Sequence, residues 1–352
     1  MADIRFLHCD RLRLGSAVQG LINSPSWLRT LAENAFRQST RNLVDLAIAQ
    51  QVDFVLVAGS ICDDPTDFAA AVRWLIDERS RLNRRQVRLI VAADNDEQAK
   101  QLRAAADEVL LPHQVLQVHA GTAVSVRASA QPDRPAALTI CRDARHVANS
   151  ALTYEAQSAS ASRQPQVSRL RDDHVASVAG PLQSVCSSDR TACGAQLVDV
   201  AVADQDIRTS PIHADVLRFA DRTIDTRLCS GPEQIVEALV AAGEDVAESF
   251  AGTTVLDWSL RADLESSAVT RFSPASLLQD LQAKLHGGHR GVWARRIHFS
   301  AESTVMATSK DQLAQRFLSW NGHQPVARSG TVAAKRLDDV VLHGLSLLRK
   351  AA

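Results

Sequence analysis

A chain of 352 residues is long enough to bury a large core and suggests two domains. Its hydrophobic fraction of 45% and charged fraction of 22% are ordinary for a globular protein, and a formal net charge of -1 excludes a uniformly basic surface, so any nucleic-acid site has to be a local patch. No apolar run reaches membrane-spanning length, no signal-peptide core follows the N-terminus, and six cysteines are scattered without a CxxC pair; this predicts a cytoplasmic chain with reduced thiols, no membrane contact, and neither a disulfide framework nor a zinc knuckle.

Ile4 to His8 (IRFLH) reads as a first strand that delivers CDRLRLG to a sheet edge. Ser24 to Gln51 is a long amphipathic helix with Leu28, Leu31, Ala35, Leu43, Leu46 and Ala47 at helical spacing. It leads into Phe54 to Ala58, an uninterrupted apolar run that ends at Gly59-Ser60, as a buried strand passing into a loop does. Asp67 to Arg81 is a second helix, Val87 to Ala92 a third strand ending at ADND, and Glu97 to Asp107 a third helix. This alternation predicts an α/β fold with a doubly wound sheet. Short strands follow between Val109 and Val126. From Pro132 to Asp173 the pattern weakens, and Ser158 to Ser168 (SASASRQPQVS) reads as a loop. Strand pattern returns over Val175 to Val185 and Gly194 to Val200.

The punctuation changes near residue 204, dividing the chain into 1–203 and a smaller α+β region, 204–352. There the helices expected are Pro232 to Phe250, Ser273 to His286, Lys310 to Trp320 and Ala333 to Lys350, with strands at Thr254 to Leu260 and Gly291 to Phe299. Ser273 as N-cap, Pro274 at the first helical position and Gly287-Gly288 as stop mark one helix clearly.

In open α/β sheets chemistry collects beyond the carboxyl ends of the strands, and here those ends read HCDRLRLG, AGSICD and AADND. Together with LPHQVLQV and GAQLVDV, these blocks resemble, in order, calcineurin-like metallophosphoesterases, and among them the bacterial DNA-repair exonuclease subunits of the SbcD and YhaO type. The resemblance runs over roughly the first 120 residues, and more loosely beyond. It implies a two-sheet sandwich flanked by helices, with two metal ions at the strand ends. It also implies a dimer that works with an SbcC-like coiled-coil ATPase on DNA ends.

Carried over residue by residue, the metal motifs are degenerate. The Asp and His of the first block fall on Arg11 and Arg13, the bridging Asp on Ser60, the Asn and catalytic His of the third block on Asp94 and Asn95, and the later Gly-His-x-His on Ser158-Ala159-Ser160-Ala161. Two-metal catalysis needs oxygen and nitrogen ligands that hold cations about 3.5 to 4 Å apart, and guanidinium groups repel a metal ion instead. The resemblance with these losses implies a pseudoenzyme with no cofactor. The alternative is an active enzyme that binds Mn or Mg through a rearranged site of Asp10, Asp63, Asp94 and Asp96, which otherwise read as loop-capping carboxylates. Arg11 and Arg13 are phosphate-binding candidates, or members of a salt-bridge cluster with those acids. Weaker candidates are His8, the LHGGHRG stretch with His286, His289 and Arg290, and the basic run Arg84, Arg85 and Arg88. Ser187, Asp189 and His174 lack the Gly-x-Ser-x-Gly elbow of a serine triad.

Overall fold

The computed structural model describes residues 3–119, 123–127, 136–142, 152–157, 166–171, 173–190, 193–227, 229, 231–261, 273–286 and 291–300. The chain opens with β1 (Ile4–Cys9), α1 (Ser26–Ala49), β2 (Phe54–Val57), α2 (Phe68–Asn83), β3 (Arg88–Ala92), α3 (Asp96–Leu102) and β4 (Glu108–Leu110). A run of strands follows: β5 (Val115–His119), β6 (Ala123–Arg127), β7 (Leu138–Cys141), β8 (Thr153–Gln157), β9 (Gln166–Arg171), β10 (His174–Val178), β11 (Gly194–Ala201) and β12 (Asp206–His213). Then come β13 (Leu217–Asp225), α4 (Pro232–Ser249), β14 (Thr253–Arg261), α5 (Pro274–His286) and β15 (Val292–Ser300). The expected helices over 310–320 and 333–350 lie outside the described residues.

The first sheet has the order β12-β11-β1-β2-β3-β4, parallel from β1 to β4 and antiparallel where β11 and β12 are added. The second, β6-β5-β7-β8-β10-β9, is mixed. Strand alternation assigns the faces. In β1 and β2, Phe6, Phe54 and Leu56 meet Leu116, Ile140, Tyr154 and Val175 of the second sheet, whereas Leu7, Cys9, Val55 and Val57 turn to the side covered by α1 and α2. The result is the expected α/β architecture of two packed sheets with helices outside. Phe6 stacks on Phe54, with ring centroids 4.7 Å apart, and meets Tyr154 edge-on at 5.2 Å.

β12 lies beyond the expected division at residue 203, yet it is paired along its length with β11 and completes the first sheet. The hairpin is tight at its open end. A Cβ on Gly194 would sit 2.0 Å from the Ile212 carbonyl oxygen. Gly194→Ala is therefore expected to force the two strands apart and to lower stability by about 1–3 kcal/mol, read as a reduced urea midpoint; an unchanged midpoint would show that the strand end yields without cost.

The third sheet, β13-β14-β15, is all parallel, with α4 and α5 as its crossovers. Trp258, Leu256 and Leu260 of β14 pack with Leu239 of α4 and Leu281 of α5 on one face. Helix α1 joins this sheet to the sandwich. Its N-terminal half, through Leu28, Ala32, Ala35 and Phe36, packs on Leu217, Phe219 and Val255 of the third sheet, while Leu43, Val44 and Ala47 pack on the first. At the seam, the fully buried Gln183 accepts hydrogen bonds from Ser39 Oγ and from the Val216 N–H, both at 2.9 Å, and donates to the Leu217 carbonyl at 2.5 Å. A buried amide satisfied in this way fixes the register between α1 and β13.

Candidate functional site

The loops after β1 and β2 are laced together. Leu12 N–H donates to the Ser60 carbonyl at 3.1 Å and Leu14 N–H to the Ile61 carbonyl at 2.8 Å, so Leu12 and Leu14 turn into the core while Arg11 and Arg13 alternate with them. Arg13 has φ of 50°, in the left-handed region that a non-glycine residue seldom occupies. Gly15 follows with φ of 96° where its missing side chain makes room for Asp67, 2.7 Å from the Cβ position.

Of the degenerate positions that the structure describes, Arg13, Ser60, Asp94 and Asn95 are engaged with the protein itself. Arg13 Nη1 donates to Asp63 Oδ2 at 2.9 Å. The Ser60 hydroxyl donates to the Cys62 carbonyl and accepts the Cys62 N–H at 3.2 Å, which makes it a turn residue. Asn95 is the N-cap of α3, accepting the Gln98 N–H at 2.9 Å, and Gln98 Oε1 accepts the Asp94 N–H in return at 2.8 Å. The arrangement resembles a capping box, with Gln98 reaching one residue further, to the N–H before the N-cap. Arg11 is half-buried, and its Nε finds no hydrogen-bond acceptor among the described residues. Ala159, Ala161, His289 and Arg290 lie outside the described residues.

One residue at these strand ends is not anticipated by the sequence. Arg142, one residue past β7, donates through Nη1 to the Ala93 carbonyl and through Nη2 to Asp94 Oδ1, both at 3.0 Å. It ties the end of the second sheet to the end of β3. Nothing in the local sequence around Arg142 announces this pairing, because its partners lie almost fifty residues earlier.

Of the four alternative metal ligands, Asp63 and Asp94 are thus paired with guanidiniums, Asp10 is buried, and Asp96 is exposed in the first turn of α3, where a carboxylate favours the helix dipole. Among the described residues, no group of three or more His, Cys, Asp or Glu side chains is placed to hold a metal ion. These donors do not fit a two-metal centre: the hydroxyl and the amide are committed to backbone groups, and two of the carboxylates to cations.

His8 faces the inter-sheet core rather than the loops. Its Nδ1 lies 2.9 Å from the Tyr154 hydroxyl, and burial pushes the imidazole down to about 3 and the Tyr154 phenol up. Arg84, Arg85 and Arg88 are exposed. Asp189 accepts the Val185 and Cys186 N–H groups at 2.8 and 3.2 Å, while His174 lies 3.5 Å from Glu155, so Ser187, Asp189 and His174 form no triad.

No family model matches the chain. Over 82 residues the sequence is 28% identical to the uncharacterized metallophosphoesterase YhaO of Bacillus subtilis, a match that covers 23% of this chain and 20% of that relative. The chain therefore matches about a fifth of the relative's length. No helix among the described residues is long and apolar enough to cross a membrane, which says nothing of membrane-spanning strands. The local similarity and the sandwich of two sheets flanked by helices together support a metallophosphoesterase-like chain.

Proposed function

We propose that the chain is a catalytically inactive metallophosphoesterase-like protein that acts as a DNA-end-binding or scaffolding partner of an SbcC-like coiled-coil ATPase. One observation carries the reading. At the strand ends, where the resemblance implies two cations, the carboxylates are cross-linked by arginines instead: Arg13 to Asp63, and Arg142 to Asp94. An arginine can replace the charge of a metal ion and its role as a cross-link. It cannot lower the pKa of a bound water or polarise a phosphoryl oxygen as a Lewis acid.

The same pairing ranks the roles. Arg13 and Arg142 are paired with Asp63 and Asp94, and Asp10, Asp64, Asp67 and Asp96 lie on or next to the same strand-end loops, so the strand ends carry no excess of positive charge. Scaffolding stands first on that account. Arg11, with an unmatched Nε, is the guanidinium best placed to meet a phosphate, whereas Arg13 would have to exchange Asp63 for it.

Calorimetric titration with manganese, beside nuclease assays on single- and double-stranded DNA in the same buffer, tests the reading. The expected result is no stoichiometric binding and no metal-dependent cleavage. Stoichiometric binding with cleavage would overturn it and return Asp10, Asp63, Asp94 and Asp96 as ligands. If DNA meets the arginines, the Arg11→Ala, Arg13→Ala double variant should lower the slope of log affinity against log salt by about one for each phosphate that it no longer neutralises.

A further inference from the structure

A second group of arginines gathers on the third sheet. Strand β14, TTVLDWSLR, carries a single carboxylate at its centre, Asp257, which is 1% exposed. The register against β15 slips beside it: Leu256 pairs with Ala294, but Asp257 pairs with Arg296, leaving Arg295 as an extra residue. Successive residues of a regular strand face opposite sides, and a bulge re-aims one of them. Both arginines therefore reach Asp257. Arg295 Nε donates to Oδ1 at 2.8 Å while its Nη2 meets Oδ2, and Arg296 Nη2 lies 3.0 Å from Oδ2. A third guanidinium comes from the sandwich. Arg190, on the loop between β10 and β11, donates through Nη2 to Asp257 Oδ2 at 2.6 Å and through Nε to Asp221 Oδ2 of β13 at 2.8 Å.

Here, unlike at the strand ends, three guanidiniums face two carboxylates. Burial alone would raise the pKa of Asp257, but the hydrogen bond from Arg295 and the charges of Arg295, Arg296 and Arg190 hold it below the usual carboxylate range. His298 shares the face of Arg296, two residues along β15. It is held below its ordinary pKa by partial burial and by the charge of Arg296, against the opposing pull of Asp257 and Asp221. The donors are not exhausted. Arg190 Nη1 is buried with no acceptor among the described residues, and Arg296 is 61% exposed, meeting Asp257 through Nη2. An unmatched buried N–H is costly, and because the Arg190 side chain is 25% exposed, a small turn of its guanidinium toward an oxyanion held at Arg296 supplies the missing bond.

We infer that Arg190 and Arg296, oriented by Asp257 and the bulge at Arg295, form a binding site for a phosphoryl group. A dianion with three terminal oxygens matches two guanidinium forks better than a single carboxylate does. The site lies on the third sheet and does not depend on the reading of the strand ends. Free phosphate and the terminal phosphate of a nucleic acid present the same chemistry.

The test is calorimetric titration of the full chain with inorganic phosphate at constant ionic strength. Saturable binding is expected, weakened about ten- to a hundredfold in Arg296→Gln. Arg296 is largely exposed, so this variant is expected to keep the wild-type melting temperature. Arg190→Lys keeps the charge but loses the planar fork and should also weaken binding. Arg208→Gln, which removes an exposed partner of Asp206 elsewhere, should not. Titration with a short 5′-phosphorylated oligonucleotide and its 5′-hydroxyl twin separates the sources: tighter binding of the phosphorylated strand, abolished in Arg296→Gln, identifies a terminal phosphate, and no gain over inorganic phosphate identifies the free ion. Absence of saturable phosphate binding, or undiminished binding by Arg296→Gln, would overturn the site while leaving the manganese and nuclease results to decide the strand ends.

Discussion

Asp257→Asn is expected to lower the stability of the protein by about 3–5 kcal/mol, the range seen when one member of a buried ion pair is removed. The substitution keeps the shape of the side chain and one oxygen acceptor. What it removes is the charge around which Arg190, Arg295 and Arg296 are held. Arg190 and Arg295 are largely shielded from water, so their mutual repulsion is poorly screened once the carboxylate is gone. The loss should be read in chemical unfolding, with the seam between β15 and the loop carrying Arg190 loosening first, seen as faster amide exchange there. Because the folded pKa of Asp257 is depressed, its contribution is present above the ordinary aspartate pKa and disappears as the pH falls through the lower, folded value. Wild type should therefore approach the stability of Asp257→Asn under strongly acidic conditions. Equal stability of the two proteins at neutral pH would show that the arginines find other partners.

Where sequence and structure agree, the reason is local. The apolar run of β2 and the periodicity of α1 are written in consecutive residues, and Pro274 and Ser273 mark α5 by chemistry that acts within one turn; Ser273 Oγ does accept the Ala275 N–H, at 3.2 Å. β7, β8 and β9 are not legible because they are short and lack a clean alternation. In β9, QVSRLR, nearly every residue is exposed, so burial leaves no period to read, and its first residues fall inside the stretch expected to be a loop. β12 falls beyond the expected first domain for a similar reason. It is an edge strand with Pro211 and mostly polar, partly exposed residues, a composition that edges tolerate and central strands do not.

The candidate sites divide along the same line. Placing Arg11, Arg13 and Ser60 at strand ends needs only short blocks. That Arg13 would choose Asp63, or that Arg142 would come from the second sheet to hold Asp94, depends on how the two sheets pack, which no spacing reveals. The third-sheet cluster does leave a trace: an aspartate in the middle of TTVLDWSLR and a double arginine within VWARRIHFS both interrupt apolar strands. A charge at a position where the pattern requires a buried residue must have a partner. The partner from the sandwich, Arg190, is the part that only the fold supplies.

The acid limb of the stability profile is expected to belong largely to His8. Its imidazole is buried between the sheets and held neutral, with its pKa pushed from 6.5 down to about 3. The unfolded chain takes up a proton near the ordinary value, and the folded chain does not. Below that value the unfolded state binds more protons, so stability is complete above pH 6.5 and declines as the pH falls toward 3. At about 1.4 kcal/mol per unit, the decline reaches about 2 kcal/mol near pH 5 and approaches roughly 5 kcal/mol if the fold survives to the end of the range. His8→Gln separates this from other acid effects, since the amide can still meet the Tyr154 hydroxyl, now 2.9 Å from Nδ1, but cannot be protonated. Urea unfolding at a series of pH values should show a shallower fall for the variant between pH 6.5 and 5 than for wild type, the remainder belonging to groups such as His298 that are also held below their ordinary pKa, with the variant somewhat less stable at pH 7 because glutamine packs the ring cavity poorly. If both proteins lose stability with the same slope, the proton goes elsewhere and His8 is not the group that the acid side of the profile reports.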